Sequence, residues 1–152
     1  MNATSVDIEM LSLAESLRLL RTVPYGRIVY TAHAMPAVQP VNFAVDGNRI
    51  VIRTSSESKL VAAGKFGAVL AFEVDDIDVT TRAGWSVVVV GQAWVVNDAT
   101  EAARLDALGL ESWAVLTSQC YICISMDLVT GRWLHSPVRV SLGLTHLAIT
   151  HP

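Results

Sequence analysis

Charge is scarce in this chain: Asp, Glu, Lys and Arg make up 16% of its 152 residues, against a hydrophobic share of 52%. A basic excess is missing altogether, with 11 Lys and Arg against 14 Asp and Glu and a net charge of -3. Nucleic acids and anionic membranes are held through a basic face that displaces counterions, so neither is an expected partner. Residues Met1 to Asp7 have neither the basic nor the apolar region of a signal peptide, and no apolar run reaches membrane-spanning length. A cytoplasmic protein is expected, and any anion site must be local.

Several kinds of chemistry are missing as well. There are only two cysteines, Cys120 and Cys123, and their Cys-x-x-Cys spacing falls in the strand-like run Tyr121 to Ile124. Residues three apart on a strand point to opposite faces, so two buried or half-buried thiols are expected rather than a redox pair. His33, His135, His146 and His151 show no metal-ligand spacing with each other or with the cysteines. Asp75-Asp76-Ile77-Asp78 lacks the alternating ligands and mid-loop glycine of a calcium loop, and reads as a solvated exit from a strand. No glycine-rich phosphate loop and no Ser-His-Asp or Cys-His set stands out.

What is present fits one domain over residues 1–152, long enough to bury about two-thirds of the surface that the unfolded chain exposes. Its apolar share exceeds what a monomer of this size comfortably hides, and oligomerisation is the simplest outlet. From Asp7 to Arg21 apolar residues recur at roughly helical spacing, and Ser12-Leu13-Ala14-Glu15 fits a capping box with Ser12 as N-cap. Pro24 and Gly26 break that helix. Strands are expected over 27–31, 36–44, 49–54, 68–74, 85–96, 121–128 and 132–134. Pro36 and Pro40 confine their strand to an edge or a bulge. Asp46-Gly47-Asn48 signals a hairpin, and Thr130-Gly131 reads as a turn. Asn97-Asp98-Ala99-Thr100 opens a helix running to Gly109. The run Val87 to Val90 does not alternate, which implies burial on both faces, with another subunit as the second cover. Residues 1–7 and 138–152 read as tails, the latter apolar but unpatterned. The whole reads as mainly β, a small antiparallel barrel with peripheral helices.

One corner gathers polar groups. The strand Ile50-Val51-Ile52 runs into Arg53, Thr54, Ser55, Ser56, Ser58 and Lys59, and a short helix follows, expected to end at Gly64. Strand, turn and helix start bring a guanidinium, an ammonium, hydroxyls and backbone N–H groups around one point, which suits a phosphate. A solvated loop with incidental charges is the competing reading.

In order and spacing, several pieces form a pattern: Leu17-Arg18-Leu19-Leu20, Gly26-Arg27-Ile28, Pro40-Val41-Asn42-Phe43, Asp46-Gly47, Ile52-Arg53-Thr54 with Ser58-Lys59, Ala71-Phe72-Glu73-Val74-Asp75, Gly84-Trp85-Ser86-Val87 and Gly91. Over roughly residues 8–134 the chain resembles the pyridoxamine 5'-phosphate oxidase-like FMN-binding split-barrel family, in its compact actinobacterial-type branch. The resemblance implies a six-stranded antiparallel split β-barrel, homodimeric, with FMN in clefts at the dimer interface. It implies that Arg53, Thr54, Ser55, Ser58 and Lys59 hold the flavin phosphate, that Val41 and Asn42 line the ring, and that Trp85 and Ser86 approach the cleft. Asn42 reads equally as a turn or bulge asparagine, and Trp85 equally as a dimer-core anchor.

The resemblance further implies an oxidoreductase that passes hydride through the flavin to a small-molecule substrate. A deazaflavin-dependent reductase and a non-catalytic flavin- or haem-binding module are the alternatives. The arginine motif with which true pyridoxamine-phosphate oxidases close over substrate is absent from residues 136–152. Vitamin B6 oxidation is therefore not implied.

Overall fold

The structure, a computed structural model, describes residues 7–115 and 118–136. Eight strands and three short helices follow in the order β1 (Asp7–Leu11), α1 (Leu13–Leu20), β2 (Tyr25–Ala32), β3 (Met35–Asp46), β4 (Arg49–Ser55), α2 (Lys59–Lys65), β5 (Val69–Asp78), β6 (Ala83–Val95), α3 (Ala99–Asp106), β7 (Gln119–Ser125) and β8 (Leu128–His135). The sheet order is β1-β8-β6-β5-β2-β3-β4-β7, and an additional β6–β7 pairing closes it. Six strands thus form the ring β6-β5-β2-β3-β4-β7, as expected, and β8 and β1 extend from β6. Every pairing is antiparallel.

Two strands belong to both sheets of this barrel. β3 pairs with β2 over residues 35–42 and with β4 over 43–46. β6 pairs with β8 up to Val90 and with β5 up to Gln92, then with β7 from Ala93. At the second corner the backbones approach closely: a Cβ on Gly91 would lie 1.7 Å from the Ser125 carbonyl oxygen, so only glycine fits. Pro36 and Pro40 lie where β3 has β2 as its one partner, the edge position that a residue lacking an N–H requires.

Inside the barrel Ile28, Ile50, Ile52, Phe72, Val74, Val87, Val89, Ile122 and Ile124 are fully buried, and Phe43 meets Phe72 edge-on at 4.8 Å. Leu19 and Leu20 of α1, and Leu60 and Val61 of α2, join this core. Ser12 caps α1 as its sequence predicts, accepting from the Glu15 N–H at 3.2 Å. A second, smaller core lies on the outer side of β4 and β7, where α3 brings Leu105 against Val51, Tyr121 and Cys123. Cys123 is buried and Cys120 partly so, and burial raises both thiols above their usual pKa, to about 11 for Cys123.

Several local expectations are corrected. Residues 7–11 form a strand on β8 rather than the start of the helix. α2 does not end at Gly64, which lies inside it against Val95 because a longer side chain would crowd that contact; the turn with positive φ comes at Gly67. Thr130-Gly131 is strand, not turn. Gly131 is needed because a Cβ there would lie 2.2 Å from Ser16 Oγ and 2.9 Å from Leu11 Cβ. Asp75 to Asp78 continue β5 instead of leaving it, held by pairing with Ala83 to Ser86.

Within one chain the valine run is fully covered on one face only. Val87 and Val89 are buried inside the barrel, while Val88 and Val90 are half-buried on the outer face of the larger sheet. Burial on both faces within one chain occurs in β4 and β7, because α3 covers their outer side. The tail reading for residues 138–152, and that for residues 1–6, lie outside the described residues. Among the described residues no helix is long and apolar enough to cross a membrane.

Candidate functional site: the cleft where the barrel splits

Phe43 and Ile52 are the last residues that β3 and β4 pair before the strands separate. Beyond them, Asn42 continues along β2 opposite Tyr25, and Arg53 continues along β7 opposite Tyr121. A cavity of about 370 Å³ opens in the gap, lined by Tyr25, Gln39, Pro40, Val41, Asn42, Arg53, Thr54, Ser112, Trp113 and Ala114. That volume falls in the ordinary range of small-molecule sites, roughly 300–1,000 Å³.

Each wall has its own chemistry. Val41 and Pro40 give an apolar side from β3. Asn42 is engaged at both ends of its amide, donating to the Pro24 carbonyl at 3.3 Å and accepting from the Trp113 N–H at 2.9 Å. It thereby ties the segment after α3 to the cleft, and the Trp113 ring stands 5.6 Å from Tyr25 at 49°. Trp113 is nonetheless 68% exposed, a large aromatic surface at the mouth of the cavity.

Arg53 forms the opposite wall. Its guanidinium donates to the Leu110 carbonyl at 3.3 Å and to the Gln119 side chain, and lies 5.9 Å from the Tyr121 ring centroid. Its Nε is buried and has no hydrogen-bond partner, an expensive condition for a cationic donor. The Tyr121 hydroxyl donates to Asp106 at 2.6 Å, and burial together with that bond pushes its pKa up to about 12. Tyr121 therefore stays neutral beside the guanidinium.

Of the residues expected at the site, Arg53, Thr54, Val41 and Asn42 come together in this one cavity. Thr54 is buried, and its hydroxyl lies 3.4 Å from Ser58 Oγ, which in turn caps α2 at the Val61 N–H. Ser55 adjoins Thr54 on β4, at the turn. Lys59 does not enter the cleft; it lines a separate cavity with Thr31, Ala32, His33, Ala62, Ala63 and Phe66. Nor does one chain bring Trp85 and Ser86 to it. Trp85, 5% exposed, packs in the barrel core because alternation along β6 points it inward opposite Trp133, and Ser86 lies on the outer face with Val88, Thr130 and Arg132.

Tyr25, Gln39, Ser112 and Trp113 also line the cleft and belong to no motif in the sequence. A tryptophan in a stretch with neither helical nor strand periodicity was the available signal, since exposed loop aromatics more often serve binding than packing.

Comparison with known proteins bears on the family and the fold. The sequence model of the pyridoxamine 5'-phosphate oxidase family matches residues 12–133. An uncharacterized protein of Mycobacterium tuberculosis is 38% identical over 129 residues, covering 82% of this chain and 84% of its own. The structure of an FAD binding protein from Mycobacterium smegmatis, 33% identical, superposes with a TM-score of 0.73 over 84% of this chain and 98% of that one. A Corynebacterium diphtheriae protein of unknown function, 32% identical, does so with a TM-score of 0.69 over the same shares. The chain belongs to the pyridoxamine 5'-phosphate oxidase-like family of split barrels.

Proposed function

We propose that the protein is a flavin-dependent oxidoreductase that holds the flavin mononucleotide moiety, common to FMN and FAD, in the cleft between Asn42 and Arg53. The observation that carries this reading is Arg53, a cation lining the cavity with its buried Nε unpartnered. The other residues present fit the group. Tyr25, Pro40, Val41 and Trp113 offer apolar and aromatic walls to a flat ring, and Gln39, Thr54 and Ser112 offer polar edges. A relative of 33% identity described as an FAD binding protein adds support.

When bound, the isoalloxazine ring supplies hydride acceptance and donation. The chain's part is to bind, orient and exclude water. Arg53 would donate charge-assisted bonds to the phosphate, each worth roughly 1.5–3 kcal/mol, with the hydroxyls of Thr54, Ser55 and Ser58 around the same corner. Asn42, accepting from the Trp113 N–H, would hold that segment at the mouth of the cavity that takes the ring.

A homodimer is part of the proposal. Among the described residues no helix packs on the outer face of the larger sheet, where Val88 and Val90 are half-buried and Val69 and Leu128 are exposed. Apolar surface of this extent suits a second copy. Ser86, on that face, would then approach the partner's side of the seam.

Titrating purified full-length protein with FMN, FAD and a deazaflavin coenzyme tests the reading, followed by addition of NADH or NADPH to the flavin complex. Flavin binding and reduction at a useful rate are expected. Preference for the deazaflavin would overturn the cofactor assignment. Bound flavin that no nicotinamide cofactor or coupled reductase can reduce would make the protein a binding module.

A further inference from the structure

Four rows of residues cross the outer face of the larger sheet from β5 through β6 to β8. They are Ala71, Val90 and Leu128; Glu73, Val88 and Thr130; Asp75, Ser86 and Arg132; and Ile77, Gly84 and Leu134. Alternation puts them there, since Phe72, Val74, Val87, Val89 and Trp133 between them point into the core. The first and last rows are apolar at both ends. The middle two carry carboxylates on β5, and a hydroxyl and a guanidinium on β8.

Charge on this face does not balance within one subunit. Arg27, beside the carboxylates on β2, donates to Glu73 at 3.2 Å and to Asp75 at 3.3 Å, so one guanidinium serves two anions. Burial, and then the neighbouring Asp75, hold the Glu73 carboxyl above its ordinary range, as expected of an anionic pair short of a cation. Across the sheet Arg132 is exposed and makes no ion pair among the described residues. With Ser86, Val88 and Thr130 it lines a hollow of about 200 Å³.

We propose that a second copy of this chain docks here about a twofold axis parallel to β6, so that Arg132 of each subunit pairs with Asp75 of the partner subunit. This pairing presupposes the homodimer read above and fixes its symmetry axis. An axis lying between the two facing sheets and along β6 exchanges the β5 side with the β8 side and keeps each row in register. β5 and β8 flank β6 at about 5 Å each, so Arg132 comes over Asp75 of the partner subunit and Thr130 over Glu73 of the partner subunit. In the outer rows Leu128 meets the smaller Ala71, and Leu134 meets Ile77. Val88 and Val90 lie along the axis and meet their own copies. An axis across the strands would instead set β5 against β5 and bring the carboxylates together, a like-charge contact that costs affinity.

Sedimentation of the full-length protein and of Arg132→Glu and Asp75→Arg, singly and mixed, tests the pairing. Each single substitution sets like charges against each other in both symmetry-related pairs and should weaken dimerisation at least about tenfold. Mixing the two variants in equal amounts should restore a dimer, because in the heterodimer each pair is again of opposite sign. Both substitutions in one chain should restore it as well. A wild-type dimer that neither substitution weakens, or a mixture that stays monomeric, would overturn the pairing and leave the homodimer itself standing. A monomeric wild type would overturn both and leave the face to a different partner.

Discussion

Asn42 and Arg53 lie one residue beyond the last β3–β4 pair, Phe43 and Ile52, and face each other across the opening of the barrel with no strand pairing between them. The two sheets share a single continuous core on one side of that pair. On the other, the residues that would have continued the ladder line a cavity instead. A strand pairing given up here is what makes room for a ligand.

Removing the cation should be felt directly. Arg53→Ala is expected to weaken FMN and FAD alike by about tenfold or more, as measured by quenching of flavin fluorescence. Arg53→Lys should recover only part of this, because an ammonium cannot reproduce the guanidinium's fixed fork of donors. Unchanged affinity in both variants would remove Arg53 from the site.

Asn42 acts through Trp113. Asn42→Ala frees the Trp113 N–H and the Pro24 carbonyl, and is expected to weaken flavin binding by roughly two- to tenfold. Trp113→Ala should lower affinity further while leaving the melting temperature nearly unchanged, since the ring is mostly exposed. A large stability loss in Trp113→Ala would mark it as a packing residue.

Stability should fall on the acid side for a specific reason. Hydrogen bonds from Arg104 and then Arg49 hold the Asp46 and Glu101 carboxyls at about 2, below their ordinary values of 3.8 and 4.5. These bonds tie the β3–β4 hairpin to α3. Because the folded values are depressed, their contribution is present above the unfolded values and is lost as pH falls from about 4.5 towards 2. Melting temperatures across that window should drop less steeply for Asp46→Asn than for the wild type; parallel curves would argue against the linkage.

The Gly91 corner sets the closure of the barrel. Gly91→Ala would place a methyl group 1.7 Å from a backbone carbonyl that cannot rotate away. A loss of about 3 kcal/mol or more is expected in denaturant unfolding, at or above the usual range for overpacking.

The outer sheet face carries the assembly prediction. Val88→Asp should yield a folded monomer in sedimentation or light scattering, against a wild-type dimer. A monomeric wild type would refute the dimer directly.

Much of the barrel was legible because local rules and tertiary packing agree: Ser12 caps α1, Asp46-Gly47-Asn48 turns β3 into β4, and prolines mark the edge segment of β3. The misreadings occur where contact with a distant segment decided the outcome. Gly64 and Gly131 look like terminators in isolation, yet each is small because Val95, or Ser16 and Leu11, come close. For the site, Arg53, Thr54, Val41 and Asn42 could be grouped from the sequence. Trp113 could not, because a side-chain bond to Asn42, 71 residues away, places it at the cleft.

The most direct measurement is an equilibrium titration of the full-length protein and its Arg53→Ala variant with flavin, beginning from the absorbance spectrum of freshly purified protein. Saturable flavin binding by the wild type, weakened at least about tenfold in the variant, is the predicted result. Absence of saturable binding, or identical affinity in the two proteins, would contradict the assignment of the Asn42–Arg53 cleft as a flavin site.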